Sequence, residues 1–374
     1  MRPLLVIFLG LSLTLHAQTM QKIGAADLKN YLTSVRHASD DDVAHRLSAM
    51  VLTERVDSLQ LPSLETECPG KKCRRALLAL VDQSAFVESP ASQSSPSEEP
   101  SQTEQKEIMA KFLDFVERMN HQMPNFIATR TTSWFEDWPN GVQIGPTIAV
   151  RTVPLDFLGQ THTTITYRHG RESVSEEKAP EGGRGSRNPH VLSSWGLFGP
   201  MLTTVILDAS KSELRWDRWQ KNGAQRLAVF RFVVPMAQST YEVNFCCIPL
   251  AAGIMVPLDR VSAYHGEFAV NPDDGTIVSI TLVADLDQGD LTTMLEESAE
   301  GQPLSTADLA VEYAPVEIAG KMYTCPVKAV AFSKARILEN GQLGPVRTYL
   351  DDIGFSGYHV FRTETRILTD YQEK

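Results

Sequence analysis

From Phe126 onward the apolar residues of this chain fall at alternate positions, and the period-two pattern recurs in one segment after another. Successive side chains of a strand point to opposite sides, so each such run has one face to bury and one to leave polar. The runs are Ala128 to Glu136, Ile148 to Leu155, Thr163 to His169, Glu213 to Lys221, Ala224 to Val234, Tyr241 to Ile248, Ala263 to Asn271, Ile277 to Ala284, Leu309 to Ile318, Lys321 to Phe332 and His359 to Thr369. Lys221-Asn222-Gly223, Asp273-Asp274-Gly275 and Ala319-Gly320 are turn signals between them. Many short strands joined by hairpins predict a large antiparallel sheet.

The first part of the chain has a different period. Ala26, Leu28, Tyr31, Leu32 and Val35 recur at helical spacing, as do Val43, Ala44, Leu47 and Met50, and then Leu77, Leu78, Leu80 and Val81 in a helix over 74–86. Ser39 with Asp42 three residues on resembles a capping box, which suits acidic side chains at a helix start. The competing reading of Asp40-Asp41-Asp42 is a metal site, and capping is preferred. Residues 89–102 are rich in Ser, Pro and Glu, a composition that cannot bury enough apolar surface to order itself. A helix over 103–121 follows, with Ile108, Phe112, Phe115, Val116 and Met119 on one side. Residues 171–190 form a loop, and short helices are expected at 197–209 and 290–297. The expected organisation is a helical domain at 18–88, a disordered linker at 89–102 and an α+β domain at 103–374. The α+β domain is built on a curved, half-barrel-like antiparallel sheet packed on helices.

Residues 1–17 carry the marks of a secretory signal: Arg2, an apolar run from Leu4 to Leu15, then Ala17 as a cleavage point. The run is shorter than the roughly 20 residues that span a bilayer, and no cysteine follows it as a lipoprotein signal requires. The mature chain, starting near Gln18, is expected in the periplasm or outside the cell, with no transmembrane segment. The net charge of the full sequence, -11, argues against nucleic acid and anionic membrane surfaces as partners. An exported compartment permits disulfides. Cys68 and Cys73 flank Pro69-Gly70-Lys71-Lys72, a turn that can bring them together. Cys246 and Cys247 are adjacent, so on a strand they point apart, one as a buried small apolar residue. With Cys325 the five cysteines leave at least one unpaired or intermolecular.

The motifs that carry chemistry are not there: no H-E-x-x-H, no G-x-S-x-G and no P-loop occurs. His162 and His169 flank one strand seven residues apart and point to opposite faces. His265, beside Gly266-Glu267, forms a minimal acid-base unit, but neighbours in a strand are read as pointing apart. Asp285, Asp287 and Asp290, with Glu296 and Glu297 beyond, resemble a calcium loop whose pattern then fails, and a solvated loop capping a helix is preferred. Gly183 and Gly185 lack the strand-loop-helix setting of a phosphate cradle. Trp134, Phe135 and Trp138 cluster, as do Trp216 and Trp219, and such groups more often fill a core than bind a ligand. No catalytic, cofactor-binding or metal-ligating residue is therefore assigned, and no cofactor is expected.

Met123-Pro124-Asn125-Phe126-Ile127-Ala128-Thr129-Arg130 resembles a segment of uncharacterised secreted proteins of Acidobacteria. Tyr264-His265-Gly266-Glu267-Phe268 with Asp274-Gly275-Thr276-Ile277, Val311-Glu312-Tyr313 through Cys325-Pro326-Val327-Lys328, and a closing strand over 355–367 are similar to their hairpins. The hairpin series also resembles the LolA-like half-barrel of periplasmic lipoprotein carriers. That resemblance implies a curved sheet, helices against its concave face and a cavity for acyl chains. The expected function is noncatalytic: binding a lipid, another hydrophobic ligand or a lipid-modified protein in the cell envelope. The alternatives are an envelope protein-protein interaction module and, last, a hydrolase. An apolar cavity in the sheet favours the first, and a filled core with an exposed apolar patch favours the second.

Overall fold

In a computed structural model of the chain, the described residues are 20–89, 98–137, 141–144, 147–150, 155–175, 191–192, 196–249, 255–286, 304–339 and 342–360. The signal segment, Trp138, Gly183, Gly185, Asp287, Asp290, Glu296, Glu297 and the helix expected over 290–297 lie outside them.

The N-terminal region is helical as its spacing predicts. It contains β1 (Gln21–Ile23), α1 (Ala25–Val35), α2 (Asp40–Ser48), β2 (Met50–Leu52), α3 (Leu61–Glu65) and α4 (Lys71–Gln83). Leu28, Leu32, Val43, Leu47, Leu77 and Leu80 close a core of their own. β1 and β2 pair in parallel, a link too short to show in the sequence pattern. Ser39 stands at the N-cap of α2, but its side chain makes no capping bond, which corrects the capping-box expectation. Asp40 caps a different helix. Its carboxylate accepts from the backbone of Lys72 (3.0 Å) and Cys73 (2.8 Å) at the start of α4. Asp41 pairs with Lys72. Cys68 and Cys73 form the disulfide that the turn between them allows.

Next come α5 (Gln102–Gln122), β3 (Phe126–Glu136), β4 (Gly141–Ile144), β5 (Thr147–Val150), β6 (Asp156–Arg168), β7 (Arg171–Val174), β8 (Val191–Leu192) and α6 (Pro200–Ala209). After these run β9 (Glu213–Asn222), β10 (Gln225–Val234), β11 (Glu242–Pro249), β12 (Met255–Val261), β13 (Ala263–Val270), β14 (Ile277–Asp285), β15 (Leu304–Ile318), β16 (Lys321–Glu339) and β17 (Gln342–Val360). Ser101 and Glu104 form a reciprocal capping box on α5. The class is α+β, and its centre is a ten-stranded sheet in the order β7-β6-β3-β17-β16-β15-β14-β13-β10-β9. Every neighbouring pair is antiparallel, and the sheet is open, with β7 and β9 at its edges. A three-stranded sheet, β12-β11-β8, lies beside it. One expectation is corrected here. The closing strand runs from Gln342 to Val360, starting well before the expected 359–369, of which 361–369 lie outside the described residues.

The two faces of the sheet are filled from different parts of the chain. The first face takes α5 and α6. Phe112, Phe126, Phe198, Tyr264 and Phe268 are fully or almost fully buried there, with Phe112 4.6 Å from Phe268 and Phe126 5.1 Å from Phe198 between ring centres. Gly275 lets α5 approach: its φ is +76°, and a Cβ there would stand 2.3 Å from the carbonyl of Lys111. The second face takes the N-terminal region, where Ala79 of α4 packs with Phe135, Ala310, Val330 and Leu350.

Candidate functional site

Alternation along the strands puts Glu267 of β13, Thr281 of β14, Glu312 of β15, Lys328 of β16 and Asp352 of β17 on the second face. In register, Glu267 stands beside Thr281 and Glu312 beside Lys328. A sheet that buried this row without partners would carry several uncompensated charges. The N-terminal region supplies the partners. Arg55, just past β2, reaches Glu267 at 3.2 Å, and Arg218 of β9 holds the same carboxylate with two bonds of 2.8 and 3.0 Å. Burial works against the Glu267 carboxylate, but Arg218 and Arg55 outweigh it and hold its pKa below the usual range. Ser58 donates to Glu312 at 2.6 Å. Burial still raises the pKa of Glu312 and lowers that of Arg55. Lys328 lies 2.6 Å from Asp82 of α4 and 3.1 Å from Asp352. Burial pushes Asp82 up to about 8.

The junction is not closed throughout. A cleft of about 370 Å³ opens between the 55–59 segment and strands β9, β10, β14 and β15. Leu59, Leu227, Val278, Pro315 and Val327 give it apolar walls, and Arg55, Ser58 and Glu312 give it a polar side. Leu59 is 68% exposed. A void of about 30 Å³ beside Asp82, Glu312 and Lys328 has room for a water. A second, more polar cleft of about 720 Å³ lies between α2, α4 and β6, lined in part by His45, Lys72 and His162. There the guanidinium of Arg75 lies 3.9 Å over the ring of Phe157.

The residues singled out in the sequence fall as follows. His265 and Glu267 are two positions apart and share the second face, which corrects the reading that they point apart. They do not act together. His265 bonds Asp285 at 3.0 Å, Glu267 is held by the two arginines, and among the described residues no nucleophilic side chain is hydrogen-bonded to the imidazole. Asp285 of the calcium-like run is thus the partner of a histidine. His162 bonds Thr131 at 2.9 Å, while His169 sits in the β6-β7 turn at φ 51°. No group of three or more His, Cys, Asp or Glu among the described residues is arranged to hold a metal ion. Trp219 is core-like, its indole donating to the Glu98 carbonyl at 2.9 Å, and Trp216 packs edge-on against it. Cys246 is exposed and disulfide-bonded, the side chain of Cys247 lies outside the described residues, and Cys325 is a buried free thiol. Arg55, Ser58 and Asp82 were not singled out in the sequence. Only Asp82 carried a signal, as a charged residue after the apolar run of α4, while Arg55 and Ser58 lie in the polar segment 53–58 that nothing local sets apart.

No protein-family model and no curated protein matches the chain. Among solved structures, the crystal structure of MucB in complex with MucA(peri) is similar at 11% identity, over 66% of this chain and 93% of that one. The TM-score of 0.17 is too low for that likeness to carry an argument about fold or function. The class rests on the chain's own geometry: an α+β protein with an open ten-stranded antiparallel sheet. Among the described residues no helix is long and apolar enough to cross a membrane.

Proposed function

We propose that the mature chain is an exported, noncatalytic envelope protein. In this reading it has a helical unit at 18–88, a linker at 89–102 and a sheet domain at 103–374, and it binds a polypeptide partner in the cleft between the helical unit and the second face. The observation that carries this reading is the contrast between the two faces. A bound acyl chain needs continuous apolar space against the first face, and Phe112, Phe126, Phe198 and Phe268 occupy that space. The open space is at the junction. Its apolar walls, its polar side and the exposed Leu59 suit a peptide, which presents apolar side chains and backbone hydrogen-bonding groups together.

The test is native mass spectrometry of the mature protein from its own envelope, with organic extraction, followed by titration with a random peptide library. Saturable peptide binding that Leu59→Asp abolishes supports the reading. A stoichiometric lipid in the extract sinks it and restores the hydrophobic-ligand alternative.

A further inference from the structure

Cys246 of β11 is exposed and disulfide-bonded. Of the five cysteines, Cys68 and Cys73 bond each other and Cys325 is a free thiol. Cys247 alone is left to bond Cys246. On a regular strand neighbouring side chains point to opposite faces, which keeps their sulfurs apart. The backbone of β11 is not regular there. Its register against β12 shifts between Phe245 and Ile248, with Phe245 opposite Leu258 and Ile248 opposite Val256. Cys246 and Cys247 therefore share the single position opposite Pro257. A proline has no N–H to give to the ladder. Two residues facing one make a β-bulge, which re-aims side chains from their regular directions. The cysteine count and the strand register thus point independently to the same two residues.

We propose that Cys246 and Cys247 are bonded to each other, a disulfide between chain neighbours, and that this bond is a site of thiol–disulfide exchange with an external dithiol. Two features set it apart from Cys68–Cys73. The α-carbons of chain neighbours are at most about 3.8 Å apart, below the usual disulfide range of about 4.4–6.8 Å. Cys68 and Cys73, at 5.6 Å, fall within that range. A bond forced outside it stores strain and is more easily reduced. Access differs as well: Cys246 is exposed, whereas Cys68 and Cys73 are 7% and 0% exposed. Exposed or strained disulfides are the labile ones.

The exchange balances with the dithiol as reductant. One thiolate of the dithiol attacks the exposed Cys246 Sγ. The S–S bond breaks with its electron pair on the Cys247 sulfur, which takes up a proton. The second thiolate attacks the dithiol's own sulfur in the mixed disulfide, and Cys246 leaves and is protonated. The dithiol ends as an internal disulfide, and the cysteine pair has gained two electrons and two protons. Among the described residues, none of β8, β11 or β12 lines the junction cleft, so this site stands apart from the peptide reading.

The test uses the mature chain purified from an oxidising compartment. Its peptides are first mapped by mass spectrometry without reduction. The peptide that holds residues 246 and 247 should be linked to no other and be two hydrogens lighter than its dithiol form. The folded chain is then incubated with graded dithiothreitol at pH 8 and trapped with iodoacetamide. Cys246 and Cys247 should be modified at about a tenth or less of the dithiothreitol that opens Cys68–Cys73. Cys325 should stay unmodified over that range, reporting an intact fold. Two free thiols at the start, or a bond from Cys246 to any other cysteine, overturns the proposal. Equal sensitivity of the two disulfides overturns it too. So does labelling of Cys246 only where Cys325 is also labelled, since the bond then opens by unfolding.

Discussion

Lys328 Nζ on β16 lies 2.6 Å from Asp82 Oδ1 on α4, inside the junction between the N-terminal helices and the sheet, with Asp352 on its other side at 3.1 Å. One ammonium thus bonds two carboxyl groups away from water. Removing one member of a buried charged group leaves the others uncompensated, which costs about 3–5 kcal/mol. Lys328→Met is therefore expected to lower unfolding free energy in urea by about that amount. Arg215→Met, which breaks the exposed pair with Glu213, should change it by less than about 1 kcal/mol.

The same group makes stability depend on pH. Burial raises Asp82 from 3.8 in the unfolded chain to about 8 in the folded one, so between these values the folded chain holds a proton that the unfolded chain has lost. The stability from this group is present below the unfolded pKa and is lost as pH rises through the folded one. Wild-type melting temperature should include a decline from about pH 4 to about pH 8. In Asp82→Asn that component should be missing, and an unchanged profile would contradict the assignment.

Where side chains alternate with apolar partners, the sheet was legible in the sequence, and β3, β9, β10 and β13 to β16 were all expected. Of β17 only the end was, because Asp351, Asp352, Gly354 and Gly357 interrupt the apolar alternation before it. In the folded chain Asp352 is satisfied from afar by Lys328, and Gly357, at a φ of 63°, sits where β17 shifts register against β3. The junction was illegible for the same reason. Ser58 and Glu312 are 254 residues apart, and no local pattern marks one as the other's partner. The shared face of His265 and Glu267 was legible from their spacing and was misread.

Of the three aspartates at the start of α2, one carries the structural weight. Asp40 caps α4 beside the Cys68–Cys73 disulfide, so Asp40→Ala should cost about 0.5–2 kcal/mol, the value of a lost N-cap. Asp41→Ala removes only an exposed pair and should stay within about 0.5 kcal/mol. Thermal unfolding with and without added calcium separates this from a metal site, since the cap needs no ion and its melting temperature should not move.

Two glycines with nearly the same backbone angle provide an internal comparison of α5 docking. At Gly320 (φ +79°) an added Cβ meets nothing within 4 Å, so Gly320→Ala should cost only the left-handed penalty, about 1–2 kcal/mol. At Gly275 (φ +76°) the Cβ would also strike the backbone of Lys111 and Phe112. Gly275→Ala is expected to cost about 2–4 kcal/mol once displacement of the helix is added. Chemical denaturation of both variants measures the difference, and equal costs would mean that α5 does not seat on Gly275.

Cys325 is fully buried on β16, and burial pushes its thiol up to about 12. The thiolate is the reactive form, so a thiol both shielded and held protonated should resist alkylation. Native protein treated with iodoacetamide at pH 8 should show the Cys325 peptide unmodified by mass spectrometry, and the same treatment in guanidinium should modify it fully. If Cys325 reacted at the same rate in both conditions, β16 would be opening far more readily than a strand paired on both sides, to β15 and β17, allows.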